Sequence, residues 1–411
     1  MNFPNKDRGR ILPDTGLVVH LISLSIVVFI GIAGVGCQDQ PPADKPASDS
    51  DELVISTDSE PATTPAGEYV LRMLIWEGYA PDQYVQDFEK HIEAKYGKKV
   101  RLQISYTDGG SNDFYDKIRD RVVDVVTITH HLFKDERYNF ISKGMLLPLD
   151  LGNIPNHKNL VPSLRSADFH SKGGEVYGVP VCRGRYRLAY NEDLLPEAPD
   201  SWNVLWDPAY KGKYTLAANE YMYNINITAL AMGYPVEAIS KYKHLNNPEF
   251  KQKLRQLTEN AHTFWVGQDH ADDLSGLSVA AVWGDAFSEL DRRGESWATT
   301  IPKEGTPFWI DNYAITWTLA EKPFLRKVAE EWIDKLLQPS FQVDHVIREL
   351  SQMPVVIGLE AELSPEEKKR MHLGAFAPDQ ERLIPLETVS RINRNGLKHL
   401  WDEAMEGIVV P

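Results

Sequence analysis

The residues best suited to chemistry are aromatic rings set where strands give way to loops: Trp76 and Tyr79, Trp283, Trp309 and Tyr313, with Asp311 between the last two. Strand carboxyl ends are where open α/β sheets hold ligands. Flat rings there sandwich alkyl chains or turn their negative faces to an ammonium group, each contributing roughly 0.5–2 kcal/mol, and Asp311 is a carboxylate able to pair with an amine. Packing is the competing reading for any one ring, because a chain with 10 Trp buries several for that purpose alone. Catalytic patterns are missing: there is no Gly-x-Ser-x-Gly elbow, no phosphate-binding glycine loop and no His-Glu-x-x-His helix. His130-His131 is the one metal-like pair, and adjacent side chains on extended backbone point to opposite faces and chelate poorly. The expectation is a binding protein rather than an enzyme, with no cofactor and no metal.

The elements that must position these residues alternate. Residues 69–76 are a short apolar run suited to a buried strand, 81–96 carry helical spacing through Tyr84, Val85, Phe88 and Ile92, and 100–106 alternate as a second strand. A helix over about 112–121 and a strand over 122–128 complete βαβαβ, an order that argues a parallel sheet covered on both faces. The pattern recurs after residue 177, with strands expected near 186–190, 214–216, 279–283 and 314–318. Helices are expected over 222–232, 248–260, 286–293, 323–337 and 386–405. At 411 residues, two lobes with separate cores are favoured over one. A net charge of −15 without a clustered basic surface disfavours a nucleic-acid partner and permits a cationic ligand.

The amino terminus speaks to location. Lys6, Arg8 and Arg10 precede an apolar run over 17–35 that ends in Ala33-Gly34-Val35-Gly36-Cys37, the layout of an export signal. A cysteine directly after a small residue resembles the bacterial lipoprotein signal, in which Cys37 would carry the lipid; an uncleaved anchor is the alternative, since the run is about long enough to span a bilayer. Residues 1–37 are thus read as signal. Residues 38–67, rich in Pro, Ala, Ser, Thr and acids, are read as a disordered tether, too poor in apolar side chains to offset ordering entropy. Cys37 at a membrane and Cys182 deep in the chain are not expected to form a disulfide, and Cys182 is read as a buried structural thiol.

Three segments, Leu74-Ile75-Trp76-Glu77-Gly78-Tyr79, Ser201-Trp202-Asn203-Val204-Leu205-Trp206-Asp207-Pro208-Ala209-Tyr210-Lys211-Gly212 and Pro302-Lys303-Glu304-Gly305-Thr306-Pro307-Phe308-Trp309-Ile310-Asp311, resemble the spermidine/putrescine-binding proteins of bacterial ABC importers. The resemblance covers about residues 69–407. It implies a type II periplasmic-binding-protein fold of the α/β class, two lobes with mostly parallel sheets and a ligand cleft between them. The lobes would be 68–181 plus 311–353 and 182–310 plus 354–411, with interlobe crossings near 180–184, 309–311 and 354. Carried across position by position, it implies ligand contacts at Trp76, Tyr79, Trp283, Trp309 and Asp311, a hydroxyl contact at Thr129, and His131 where the family has a tyrosine.

Departures from the family bear on the ligand. Two acidic positions are occupied by Asn219 and Met222 unless Glu220 shifts into place, Met353 replaces a hinge tyrosine, and Glu387 falls near a terminal polar contact. Arg183, Arg185 and Arg187 crowd the first crossing, where a guanidinium repels a polyamine and clasps a carboxylate or phosphonate, or else forms interlobe salt bridges. The implied function is capture of a small amine-bearing, polyamine-like solute and its delivery to a membrane ABC permease by a monomeric, lipid-anchored extracytoplasmic protein. Binding of a zwitterionic or anionic solute, or sensing in place of transport, are the alternatives.

Overall fold

The computed structural model describes residues 67–107, 111–374 and 382–410. The first sheet is built from β1 (Tyr69–Ile75), β2 (Val100–Tyr106) and β3 (Val125–Thr129), with α1 (Asp82–Tyr96) and α2 (Ser111–Arg119) in the connections. β1 pairs in parallel with β2 and β3, as the βαβαβ order requires. Alternation along β1 sends Leu71, Met73 and Ile75 into one core and Leu74 into another with Phe114, Ile118, Val126 and Ile128, so both faces of the sheet are buried. α1 buries Phe88 and Ile92 and stops at Gly97, whose left-handed backbone returns an N–H to Glu93 O.

A two-strand ribbon, β4 (Ser171–Lys172) with β5 (Glu175–Val176), precedes β6 (Val179–Arg185) and β7 (Arg187–Asn191). The second sheet holds β7, β8 (Tyr214–Ala217), β9 (Thr263–Trp265), β10 (Val279–Val282) and β11 (Trp297–Thr300) in the order β11-β7-β10-β8-β9. Its helices are α3 (Tyr221–Ala231), α4 (Tyr242–Leu245), α5 (Pro248–Asn260), α6 (Ala271–Leu274) and α7 (Phe287–Arg293). The chain then returns to the first sheet as β12 (Thr306–Ile315), antiparallel to both β3 and β6. α8 (Pro323–Leu336), a π-helical stretch (Phe341–Glu349) and α9 (Pro365–Arg370) follow. β13 (Leu383–Pro385) adds to β12 in parallel, and α10 (Arg391–Met405) packs against α3, α4 and α5.

Each sheet therefore has a parallel core extended by antiparallel strands. The chain passes between sheets at Tyr186, between β6 and β7, and again between β11 and β12. The lobe boundaries expected at 181/182 and 310/311 fall inside β6 and β12, which are continuous strands of the first sheet. The strand expected over 314–318 runs instead over Thr306–Ile315, a segment whose Pro307, Asp311 and Asn312 hide its strand character, and the helix expected from 386 begins at Arg391 after the Ser390 N-cap. Strands β4, β5, β6, β9, β11 and β13 lie outside the strands expected from sequence; β4 and β5 are two residues long and β9 and β13 three, too short for a periodicity. The segment that carries the resemblance most specifically is structural: Trp202 is fully buried and its Nε1 donates to Gly305 O (2.9 Å), tying this turn to the second crossing.

Candidate functional site

Between the two sheets lies a cavity of about 530 Å³. Strand ends supply most of its wall: Trp76 follows β1, Thr129 closes β3, Asn219 and Glu220 follow β8, Gly267 and Gln268 follow β9, and Trp283 follows β10. Trp309 and Asp311 enter from β12, and Leu386, Glu387, Arg394 and Lys398 from the carboxyl-terminal segment.

Asp311 is the organising group. Cross-strand register sets it directly between Thr129 on β3 and Cys182 on β6. Thr129 Oγ1 donates to Asp311 Oδ1 (2.6 Å) and Tyr79 Oη donates to Asp311 Oδ2 (2.8 Å), while the buried Cys182 thiol donates to Tyr79 Oη (2.9 Å). Asn312 then shifts register, pairing with Pro180 across a bulge, and its amide turns to Ile128 O. Among the described residues no Lys, Arg or His lies within ion-pair distance of Asp311. Burial pushes its carboxyl up to about 6, against the two donated hydrogen bonds. Glu220, half-buried, is pushed up to about 7 by burial and by the charge of Asp311. Asp285, which accepts from Gln352 Nε2 (3.1 Å), is raised by burial and by Asp269, whose own oxygens accept from the backbone N–H groups of Trp283, Gly284 and Ala286. This side of the cavity is an acidic pole, in which Asp285 and Asp269 face the charge of buried Arg187 while Asp311 has no cation within ion-pair distance among the described residues.

The aromatic wall is rigid. Trp283 meets Trp309 edge-on at 6.3 Å and packs against Tyr223 at 4.7 Å and Trp265 at 5.6 Å, while Trp76 is braced edge-on by Phe114 at 5.1 Å. Two nitrogens on this wall, Trp76 Nε1 and His131 Nδ1, are buried without a hydrogen-bond partner.

A family model described as bacterial extracellular solute-binding protein matches residues 120–375 of the chain. The chain belongs to that family. The spermidine/putrescine-binding periplasmic protein of Escherichia coli (strain K12) is 24% identical to this solute-binding protein over 257 residues, 58% of the chain and 66% of that relative. The match thus spans just under two thirds of the relative's length. Two solved structures share the fold: the spermidine/putrescine ABC transporter substrate-binding protein PotD from Streptococcus pneumoniae strain Canada MDR_19A, at TM-score 0.64 and 18% identity, and the Tp0655 (TpPotD) lipoprotein of Treponema pallidum, at TM-score 0.59 and 19% identity. Each match covers 82% of this chain, and 98% and 99% of those chains. The fold of the solute-binding protein is accordingly the two-lobed periplasmic-binding-protein fold, with the cavity as its interlobe cleft. Among the described residues no helix is long and apolar enough to cross a membrane, and no group of three His, Cys, Asp or Glu is placed to hold a metal ion.

The structure brings Trp76, Tyr79, Thr129, His131, Trp283, Trp309 and Asp311 together around the one cavity. Arg183 is not there: its Nε donates to Pro354 O (3.1 Å) and its backbone exchanges hydrogen bonds with Met353. Arg187 is buried and donates to Ser351 O and Gln352 Oε1, and Arg185 is 2% exposed with Nη1 unpartnered. Among the described residues none of these arginines forms a salt bridge; in place of a ligand clasp or an interlobe ion pair, Arg183 and Arg187 make hydrogen bonds with the segment after the π-helix. His130 and His131 do not point to opposite faces of a strand: they lie in a 3₁₀ turn with their rings edge-on at 5.5 Å, and His130 is held in the core between Ile310 N and Leu386 O. Glu387 lines the cavity with its carboxylate engaged by Ser240 (2.6 Å) and Lys241 (3.0 Å). Cys37, the signal and most of the tether lie outside the described residues.

Sequence reasoning missed Asp285, Gln352, Arg137 and Arg394 in the wall. One signal was available: Arg394 sits on the buried stripe of α10 with Leu397, Leu400, Trp401 and Ala404, and a charge on an apolar stripe needs a partner.

Proposed function

We propose that this protein captures a small amine-bearing solute between its lobes and delivers it to the permease of an ABC importer. The observation that carries the reading is Asp311: a buried carboxylate, both oxygens fixed by neutral donors, open to the cavity and without a cation. Burying an unpaired carboxylate is costly, and an ammonium group supplies the missing charge. Glu220 takes the place of the acids absent at 219 and 222, and the rings of Trp76, Trp283 and Trp309 offer apolar and π surface to the carbon chain. The names of the E. coli and S. pneumoniae relatives support an amine, and the T. pallidum relative supports a lipid anchor at Cys37. We further assign a monomer, tethered to the membrane, with the crossings at Tyr186 and between β11 and β12 acting as hinges.

The test is calorimetric titration of the purified protein with putrescine, spermidine and simple alkylamines, repeated on Asp311→Asn. Binding of an amine that weakens by roughly ten- to a hundredfold in Asp311→Asn, the range for a lost hydrogen bond to a charged group, supports the reading. Binding only of sugars or amine-free anions would sink it.

A further inference from the structure

Opposite the acidic pole, the cavity wall carries a basic one. Arg137 follows the 3₁₀ turn after β3, and Arg394 comes from α10; both line the cavity with Asp135 between them. Asp135 is 2% exposed and is their shared partner: Arg137 Nη2 reaches its Oδ2 at 3.0 Å and Arg394 Nη1 its Oδ1 at 3.4 Å. Two guanidinium groups against one carboxylate leave a positive charge over in a largely dry wall. Lys398 lines the same region with its ammonium on Asp402 (2.5 Å), so it adds no surplus. The charged groups facing this pole are thus Asp135, Arg137, Arg394, Lys398 and Glu387, the last held by Lys241.

Both poles border the start of α3. Glu220 and Tyr221 are consecutive at the start of α3, so their Cα atoms are about 3.8 Å apart. Glu220 feels the charge of Asp311, while Tyr221 feels those of Arg137 and Arg394 together with those of Glu220 and Asp135.

We propose that the solute is bipolar, with an amine held at Asp311 and Glu220 and a carboxylate or comparable oxyanion received by Arg137 and Arg394. This rests on the amine reading above and narrows it. Planar guanidinium groups accept an oxyanion bidentately, and the shared Asp135 holds both arginines in place while leaving donors to spare. A second ammonium group at that end meets the surplus positive charge, so a diamine fits worse than an amino acid of equal length.

Three probes of one chain length test this by calorimetric titration of the full chain in mild detergent: 5-aminopentanoate, 1,5-diaminopentane and pentylamine. The expected result is that the aminocarboxylate binds about tenfold or more tighter than either other probe. Arg394→Gln and Arg394→Lys should each remove most of that advantage without weakening pentylamine; the lysine variant keeps the charge and loses the fork, and unchanged thermal unfolding of that variant sets a loss there apart from a folding defect. A diamine that binds as tightly as the aminocarboxylate, with both weakened by Asp311→Asn and neither by Arg394→Gln, overturns the bipolar assignment and leaves the amine reading standing. No binding of any of the three probes overturns the bipolar assignment, and the amine reading falls with it when putrescine and spermidine also fail to bind.

Discussion

Asp311 and Glu220 make the ligand-free site sensitive to pH, and the sign differs between stability and affinity. An ordinary carboxyl titrates near 4 in the unfolded chain, whereas burial holds these two at about 6 and about 7 in the folded one. Between those values the folded state keeps protons that the unfolded chain has released, so these groups lower stability as pH rises from about 4 through about 7. Buried His130 and His170, pushed down to about 4 by burial, act in the opposite sense over part of that range. The separable quantity is the difference between wild type and Asp311→Asn: the variant should gain relative stability from pH 4 to pH 7, read from denaturant midpoints. Amine affinity moves the other way, because an ammonium ion needs the carboxylate ionised. Binding should strengthen on the order of tenfold between pH 5 and pH 8, as expected for a group titrating near 6, and a flat profile in calorimetry would remove Asp311 from the contact.

Strand β6 is where local chemistry and packing meet. Gly184 pairs with Trp309 across the ladder, and a methyl group there would collide with the Trp309 indole and Gln352 Oε1. Gly184→Ala should cost about 1–3 kcal/mol, the usual range for overpacking, and loosen the aromatic wall; unchanged thermal unfolding and unchanged ligand affinity would show that Trp309 tolerates displacement. Its neighbour Arg185 is a buried guanidinium whose titration is pushed down to about 9 by desolvation and by Arg187 and Arg183. With no carboxylate among the described residues in ion-pair range to offset burial, Arg185→Met should leave stability unchanged or raise it by roughly 1–4 kcal/mol, measured by chemical denaturation. A large loss would mean the charge is compensated through backbone dipoles.

At the scale of the molecule, direct contacts from several elements bridge the cleft, among them Arg394 of α10 to Asp135 (3.4 Å) and Trp283 edge-on to Trp309. Gln268, after β9 of the second sheet, donates to Glu77 O, after β1 of the first (3.0 Å), and Tyr186 and the β11–β12 link carry the chain across. A joint of this kind rotates on a small number of backbone torsions, and ligand bound to both walls favours the closed arrangement by its differential affinity. Addition of a binding solute should reduce the radius of gyration in solution scattering, and the reduction should vanish in Asp311→Asn. An unchanged radius in wild type would mean capture without lobe movement.

Much of this was written in the sequence itself. The apolar run of β1, the 3.6-residue spacing of α1 and the βαβαβ order follow from burial and steric rules that act over a few residues, and Trp76 and Trp283 stand where strands end, as read; Trp309 and Asp311 lie within β12, whose extent the sequence did not reveal. What only the tertiary structure decided is which charges share the cavity. Arg183 and Arg187 lie near the cleft in the chain yet turn toward backbone carbonyls beyond the π-helix, while Arg394, over two hundred residues further on, is carried into the wall by the docking of α10 on α3 and α5. Periodicity reports which face of an element is apolar. It does not report the partner that face meets, and a charge is given its role by the partner.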